Sequence, residues 1–247
     1  MKTLSFFGTV CVLMIAALNA DTYLRYKKTT DPYTAGGKEV PASTGHSVAW
    51  IGKTVAAYDD GEGTRSIVHF KKRTLTVLDL ADKKYSVMYL DSMGTMFENA
   101  VNSAAGNSEQ AEAMKAMMQG MVGEMLKSAV SIKNSGEKKK IGSWNCVRYD
   151  VSMSIMTGGT NSEVWVTRDI KIDPALFNMV KNGVLARMPG FSAIAEELKK
   201  VEGVPVKTVT RSQTMNTTVT STELLKEYAE KPAPAGIYDI PESFTKK

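Results

Sequence analysis

The chain has 247 residues, with 31 Lys plus Arg against 26 Asp plus Glu and a formal net charge of +5. Its 43% hydrophobic and 23% charged residues suit a folded globular protein and exclude a disordered tail or a fibre. Two Cys and two His, His46 and His69, exclude a disulfide framework, a Cys-rich zinc site and a His-rich metal centre.

Residues 1–20 read as a secretion signal. Lys2 supplies the positive region, residues 6–18 are mostly apolar, and Leu18-Asn19-Ala20 offers a peptidase site before Asp21. The apolar run is shorter than the ~20 residues a membrane span needs. Cys11 follows Val10, without the small residue that precedes a lipid-modified cysteine, so there is no lipobox. The expected product is one domain, residues 21–247, in the periplasm or secreted. Its one thiol, Cys146, is expected to be buried and inert.

Much of the remaining chain alternates with period 2, as half-buried antiparallel strands do. Strands are expected at 22–29, 47–58, 66–70, 74–80 and 84–89. In the second, Val48, Trp50, Thr54, Ala56 and Tyr58 would share one face. Asp59-Asp60-Gly61-Glu62-Gly63 is a turn, and Lys71-Lys72-Arg73 and Asp82-Lys83 are short links. The clearest alternation is 145–155. Val147, Tyr149, Val151, Met153 and Ile155 point one way, and Trp144, Cys146, Arg148, Asp150 and Ser152 the other. Gly158 to Asn161 reads as a turn before a strand at 163–168. Late strands are expected at 204–212 and about 215–222, the latter rich in Thr.

Helical signals are fewer. The longest covers 108–131, capped by Ser108, with Glu109 and Glu112 in its first turn and Lys127 and Lys133 near its end. Asp173-Pro174 starts a second helix that stops at Gly183. A third runs over about 192–201, with Phe191, Ile194, Ala195, Leu198 and Val201 as its apolar stripe.

The long helix carries Met114, Met117, Met118, Met121 and Met125, four of them on one face. Such a face needs a cover, most naturally the concave side of a curved sheet. Three readings compete: core packing, a deformable wall around an apolar ligand such as an acyl chain, and Cu(I) held by thioethers. Gly120 and Gly123 favour a movable lid, because each interior Gly costs a helix about 1 kcal/mol against Ala. No His or Cys lies in the segment to complete a copper site.

Catalytic patterns are missing. There is no Gly-x-Ser-x-Gly elbow, no His-Glu-x-x-His and no phosphate-binding Gly loop. A non-enzymatic role without a cofactor is expected. The modest charge and the lack of an Arg-rich reading helix argue against nucleic acid. The basic turn Gly136-Glu137-Lys138-Lys139-Lys140 reads first as a solvated loop. Its second reading is transient contact with anionic lipid head groups, at ~1 kcal/mol per basic residue.

Three stretches carry a family resemblance. They are residues 65–88, residues 136–151 followed by Glu163-Val164-Trp165-Val166-Thr167, and Glu202 to Lys207 with the ending Pro234 to Phe244. Ile141, Gly142, Cys146 and Tyr149 form the most specific pattern. This order resembles an uncharacterised family of exported bacterial proteins, a domain of unknown function. That family is similar to the outer-membrane lipoprotein carriers of Lol-type fold. The resemblance implies an α+β fold: an incomplete antiparallel β-barrel, or curved sheet, with helices packed on its concave face around an apolar cavity. It implies no catalytic residues.

The expected function is to bind or carry a lipid or other apolar small molecule, including a lipoprotein acyl chain. The candidate cavity residues are the five methionines with Val147, Tyr149, Val151 and Met153. The alternative is a structural or partner-binding envelope protein with a filled core. The Cu(I)-binding reading stands third.

Overall fold

The computed structural model describes residues 20–90, 130–155, 158–172, 197, 200–214 and 217–247. The described chain is built from strands. They are β1 (Asp21–Thr30), β2 (Tyr33–Ala35), β3 (Lys38–Val40), β4 (Ser43–Ile51), β5 (Val55–Asp59), β6 (Thr64–His69) and β7 (Thr74–Asp79). They continue with β8 (Lys84–Tyr89), β9 (Val130–Ile141), β10 (Trp144–Ile155), β11 (Gly158–Thr167), β12 (Val204–Thr214), β13 (Thr217–Lys231) and β14 (Thr245–Lys246).

Twelve of these strands form one sheet in the order β14-β8-β7-β6-β5-β4-β1-β13-β12-β11-β10-β9, and β2 and β3 form a separate hairpin. Two hairpin meanders therefore meet where β1 pairs with β13, Asp21 opposite Lys231. Only β14 runs parallel to its neighbour, β8.

The turns follow from local chemistry. Between β5 and β6, the Asp60 carboxylate accepts from the Glu62 and Thr64 amides at 2.8 and 2.9 Å, and Asp59 accepts from the Gly61 amide at 3.0 Å. Gly61 is obligatory there. Its φ is +71°, and a Cβ would overlap the His46 carbonyl oxygen.

The strands pack on both faces. Leu24, Tyr26, Ala49, Val68, Leu75, Val204, Val206 and Leu225 belong to one buried cluster that runs across both meanders. On the opposite face of the first meander, Ala57, Ile67 and Leu78 are covered by Ile237, Tyr238 and Phe244 of the C-terminal segment. Tyr238 fastens this strap by donating its hydroxyl to Asp21 at 2.8 Å. Each fully buried aliphatic side chain in such clusters contributes about 1.5–3 kcal/mol.

The α+β half-barrel expectation is corrected. The described residues are nearly all β, most of them in one large open sheet, and no helix packs on either face among them. Part of the reason lies in residues 130–141. The expected long helix was to end at Ser131 and the lysine run was to be a turn, yet Val130 and Ser131 open strand β9, which continues through Lys138–Lys140. Backbone pairing with β10 satisfies this segment along its length. Residues 108–129 and most of the two shorter expected helices lie outside the described residues. At the end of the third, Lys200 stands in a turn.

Two further corrections concern register. The expected strand 47–58 is two strands, β4 and β5, closed by a bond from the Gly52 amide to the Val55 carbonyl at 2.9 Å. Trp50 therefore sits opposite Ala57 and Ile51 opposite Ala56, so Trp50 and Ala56 lie on different faces. Gly158 to Asn161, expected as a turn, already belongs to β11.

Candidate functional site

The period-2 pattern of residues 144–155 does produce β10, a strand with two distinct faces. Trp144 and Cys146 pack with the large buried cluster. Val147, Tyr149 and Val151 face the other way, with Val164, Val166, Val201 and Ile132. Tyr149 is only 4% exposed.

That second face forms the floor of a wide-mouthed pocket of about 740 Å³. Its rows are fixed by register, because directly opposed residues of an antiparallel pair share a face. One row runs Lys138, Val147, Val166 across β9, β10 and β11, and Lys140 stands opposite Asn145 in the row beyond. In the other direction, Tyr149 stands between Asn134 and Val164. Within the Lys138 row the floor thus changes from basic to apolar between neighbouring strands, about 5 Å apart.

Between these rows the edge strand bulges. Tyr149 follows Val147 by two residues, while their partners Asn134 and Lys138 lie four apart. Gly136, at φ +74°, sits in the bulge. The Asn134 side chain accepts from its amide at 2.9 Å, and Ser135 donates to the Arg148 carbonyl at 3.0 Å. Arg148 answers with ion pairs to Glu137 at 2.8 Å and Asp150 at 2.9 Å. A bulge of this kind bends an edge strand and re-aims its side chains.

The far wall comes from the segments after β11 and before β12. Asp169 accepts from the Asn145 amide at 3.1 Å, and Arg168 forms an ion pair with Glu202. Gly203 allows this approach. Its φ is +132°, and a Cβ there would stand 2.5 Å from the Thr167 carbonyl oxygen. Cys146 also reaches the pocket, but burial pushes its thiol up to about 11. It is a poor nucleophile at neutral pH.

Among the expected cavity residues, Val147 and Tyr149 line this pocket, and Val151 packs against the same cluster. Met153 lies further along β10, opposite Thr160 and Val130. Met114, Met117, Met118, Met121 and Met125 lie outside the described residues. Val166, Arg168, Asp169 and Glu202 also line the pocket and are not among the residues expected from the sequence. Lys138–Lys140, expected as a turn, belong to strand β9. Read as a strand, the same run would have placed Lys138 and Lys140 on one side. The described residues contain no group of three or more His, Cys, Asp or Glu side chains able to hold a metal ion.

Residues 107–244, more than half of the sequence, match a family described as a domain of unknown function, DUF4412. The chain belongs to the DUF4412 family. The family match spans β9 to β13 and therefore the whole pocket. No curated protein matches this DUF4412 chain. Among solved structures it is similar to that of PNGF-II, at 12% identity and a TM-score of 0.40, with 91% of this chain and 31% of that chain covered. The DUF4412 chain thus spans about a third of the length of that structure. A likeness this loose carries no argument about function.

Proposed function

We propose that this is an exported, non-enzymatic protein that binds a lipid or another apolar small molecule on the β10–β11 face. The observation that carries the reading is the apolar floor of Val147, Tyr149 and Val166 at the base of a pocket of about 740 Å³. Ligand sites have this size, and here the apolar residues Val147, Tyr149 and Val166 lie within a lining that is otherwise mostly polar and charged, Lys138, Lys140, Arg168, Asp169 and Glu202 included. Burial of an acyl chain there would contribute ~0.8 kcal/mol per CH₂.

The resemblance of the sequence motifs to lipoprotein carriers supports the same class of ligand, including a lipoprotein acyl chain. The signal-like segment 1–20 supports a periplasmic or secreted setting. β1 begins at Asp21, immediately after the expected cleavage point. The Lys138–Lys140 run supports transient contact with a membrane surface, where anionic head groups would meet it.

Organic extraction of the protein purified from producing cells, followed by mass spectrometry, tests the proposal. An acyl-chain compound in near-stoichiometric amount is the expected result. A chain that yields no such compound, and gives no signal with a fluorescent fatty acid, refutes it.

A second reading, a structural or partner-binding envelope protein, is favoured by the filling of the main core. Leu24, Ala49, Ala56, Val68, Val204 and Val206 are all fully buried there. The same extraction separates the two, because a scaffold carries no cargo.

A further inference from the structure

From the charges around the pocket we infer that its ligand is an anionic amphiphile, with its chain over Val147 and Tyr149 and its head group between Lys138 and Lys140. The inference rests on the proposed apolar-ligand reading and adds the sign of the head group.

The pocket holds both signs of charge, and the two signs are committed differently. Its carboxylates are already engaged: Glu202 by Arg168, and Asp169 by the Asn145 amide. Lys138 and Lys140 have no carboxylate partner among the described residues. They sit two apart on β9 and share a face, so their stems rise about 7 Å from each other. A carboxylate or phosphate placed between them can accept from both ammonium groups.

The apolar part then lies on the Val147 side of the lysines. Lys138 is opposite Val147, and Tyr149 lies one row further from Lys140. A head group at the lysines puts the first methylenes on Val147 and the next over the Tyr149 ring. A cationic head would meet two like charges in the same place. A neutral head would leave both ammonium groups without a counter-charge.

A matched series of 12-carbon amphiphiles tests this on the full chain, titrated below their micelle concentrations. The members are dodecanoate, dodecyl maltoside and dodecyltrimethylammonium, with acetate as a chain-free anion. Dodecanoate is expected to bind at least about tenfold tighter than the maltoside, and the cation weakest. Lys138→Gln with Lys140→Gln should erase the advantage of dodecanoate, bringing its affinity to that of the maltoside. Both positions are exposed, so folding should be unaffected, and a thermal melt checks this.

Equal binding of dodecanoate and maltoside, or an unaffected double variant, overturns the charge inference while the apolar-ligand reading stands. Acetate that competes with dodecanoate at equal concentration also overturns it, by showing a simple anion site. If none of the 12-carbon compounds binds, the apolar-ligand reading falls as well.

Discussion

Lys138 stands directly opposite Val147 in the β9–β10 ladder, and Val147 stands directly opposite Val166 in the β10–β11 ladder. A charged residue at the sheet edge and two valines further in thus form one continuous row on one face. Lysine on an edge strand ordinarily guards against pairing with another chain. Here the same lysine also borders the pocket over β10 and β11. Its two roles do not conflict, since the backbone edge and the side-chain face point in different directions.

Gly203 controls the far wall. Gly203→Ala would force a positive φ on a residue with a Cβ, against the Thr167 carbonyl oxygen. A cost of about 1–3 kcal/mol is expected, with the segment from Val201 to Val204 displaced from β11. Urea unfolding measures the cost. Faster amide exchange at Glu202 and Val204 than in the wild type would locate it.

Tyr26 ties β1 to β12 across the intervening strand β13. Its buried hydroxyl donates to the Pro205 carbonyl at 2.9 Å. Tyr26→Phe removes the donor and leaves that carbonyl without it, at an expected cost of about 1–2 kcal/mol. Denaturant unfolding should show a lower midpoint with an unchanged slope. Ligand binding on the β10–β11 face should stay the same, because Tyr26 does not line the pocket.

Cys146 sets a pH limit. Burial raises its thiol from 9.0 to about 11 in the folded chain, which favours the neutral form. Its contribution to stability is therefore complete below about pH 9, the value of an unfolded thiol. It is lost as pH rises from there through about 11. Cys146→Ser should flatten that part of the stability profile measured by thermal melts. Labelling with an aromatic disulfide at pH 7 should be slow in the native chain and fast in urea.

The hairpins were legible in the sequence where alternation and turn chemistry agreed. Asp59-Asp60-Gly61 is one such place: two carboxylates cap the turn and a glycine supplies its left-handed residue. Strand β9 was not legible. Its lysines have poor strand propensity, and only pairing with β10 makes Lys138 and Lys140 part of a sheet. The faces of β4 and β5 do not follow from the residue pattern, because a tight turn at Gly52 reverses the chain inside an apparently continuous alternation. For the site, Val147 and Tyr149 came from period 2 alone. The Arg168–Glu202 wall joins residues 34 apart in sequence, a separation that no local pattern encodes.

Titration of a fluorescent fatty acid into the wild-type chain and into Val147→Asp tests the central claim most directly. The substitution puts a carboxylate in the middle of the apolar floor, opposite Lys138, where it can form an ion pair and keep the strand in place. The account predicts saturable binding by the wild type and a loss of at least about tenfold in the variant, since the new charge repels the head group and breaks the apolar row. Equal binding by the two proteins, or no binding by the wild type, would contradict it.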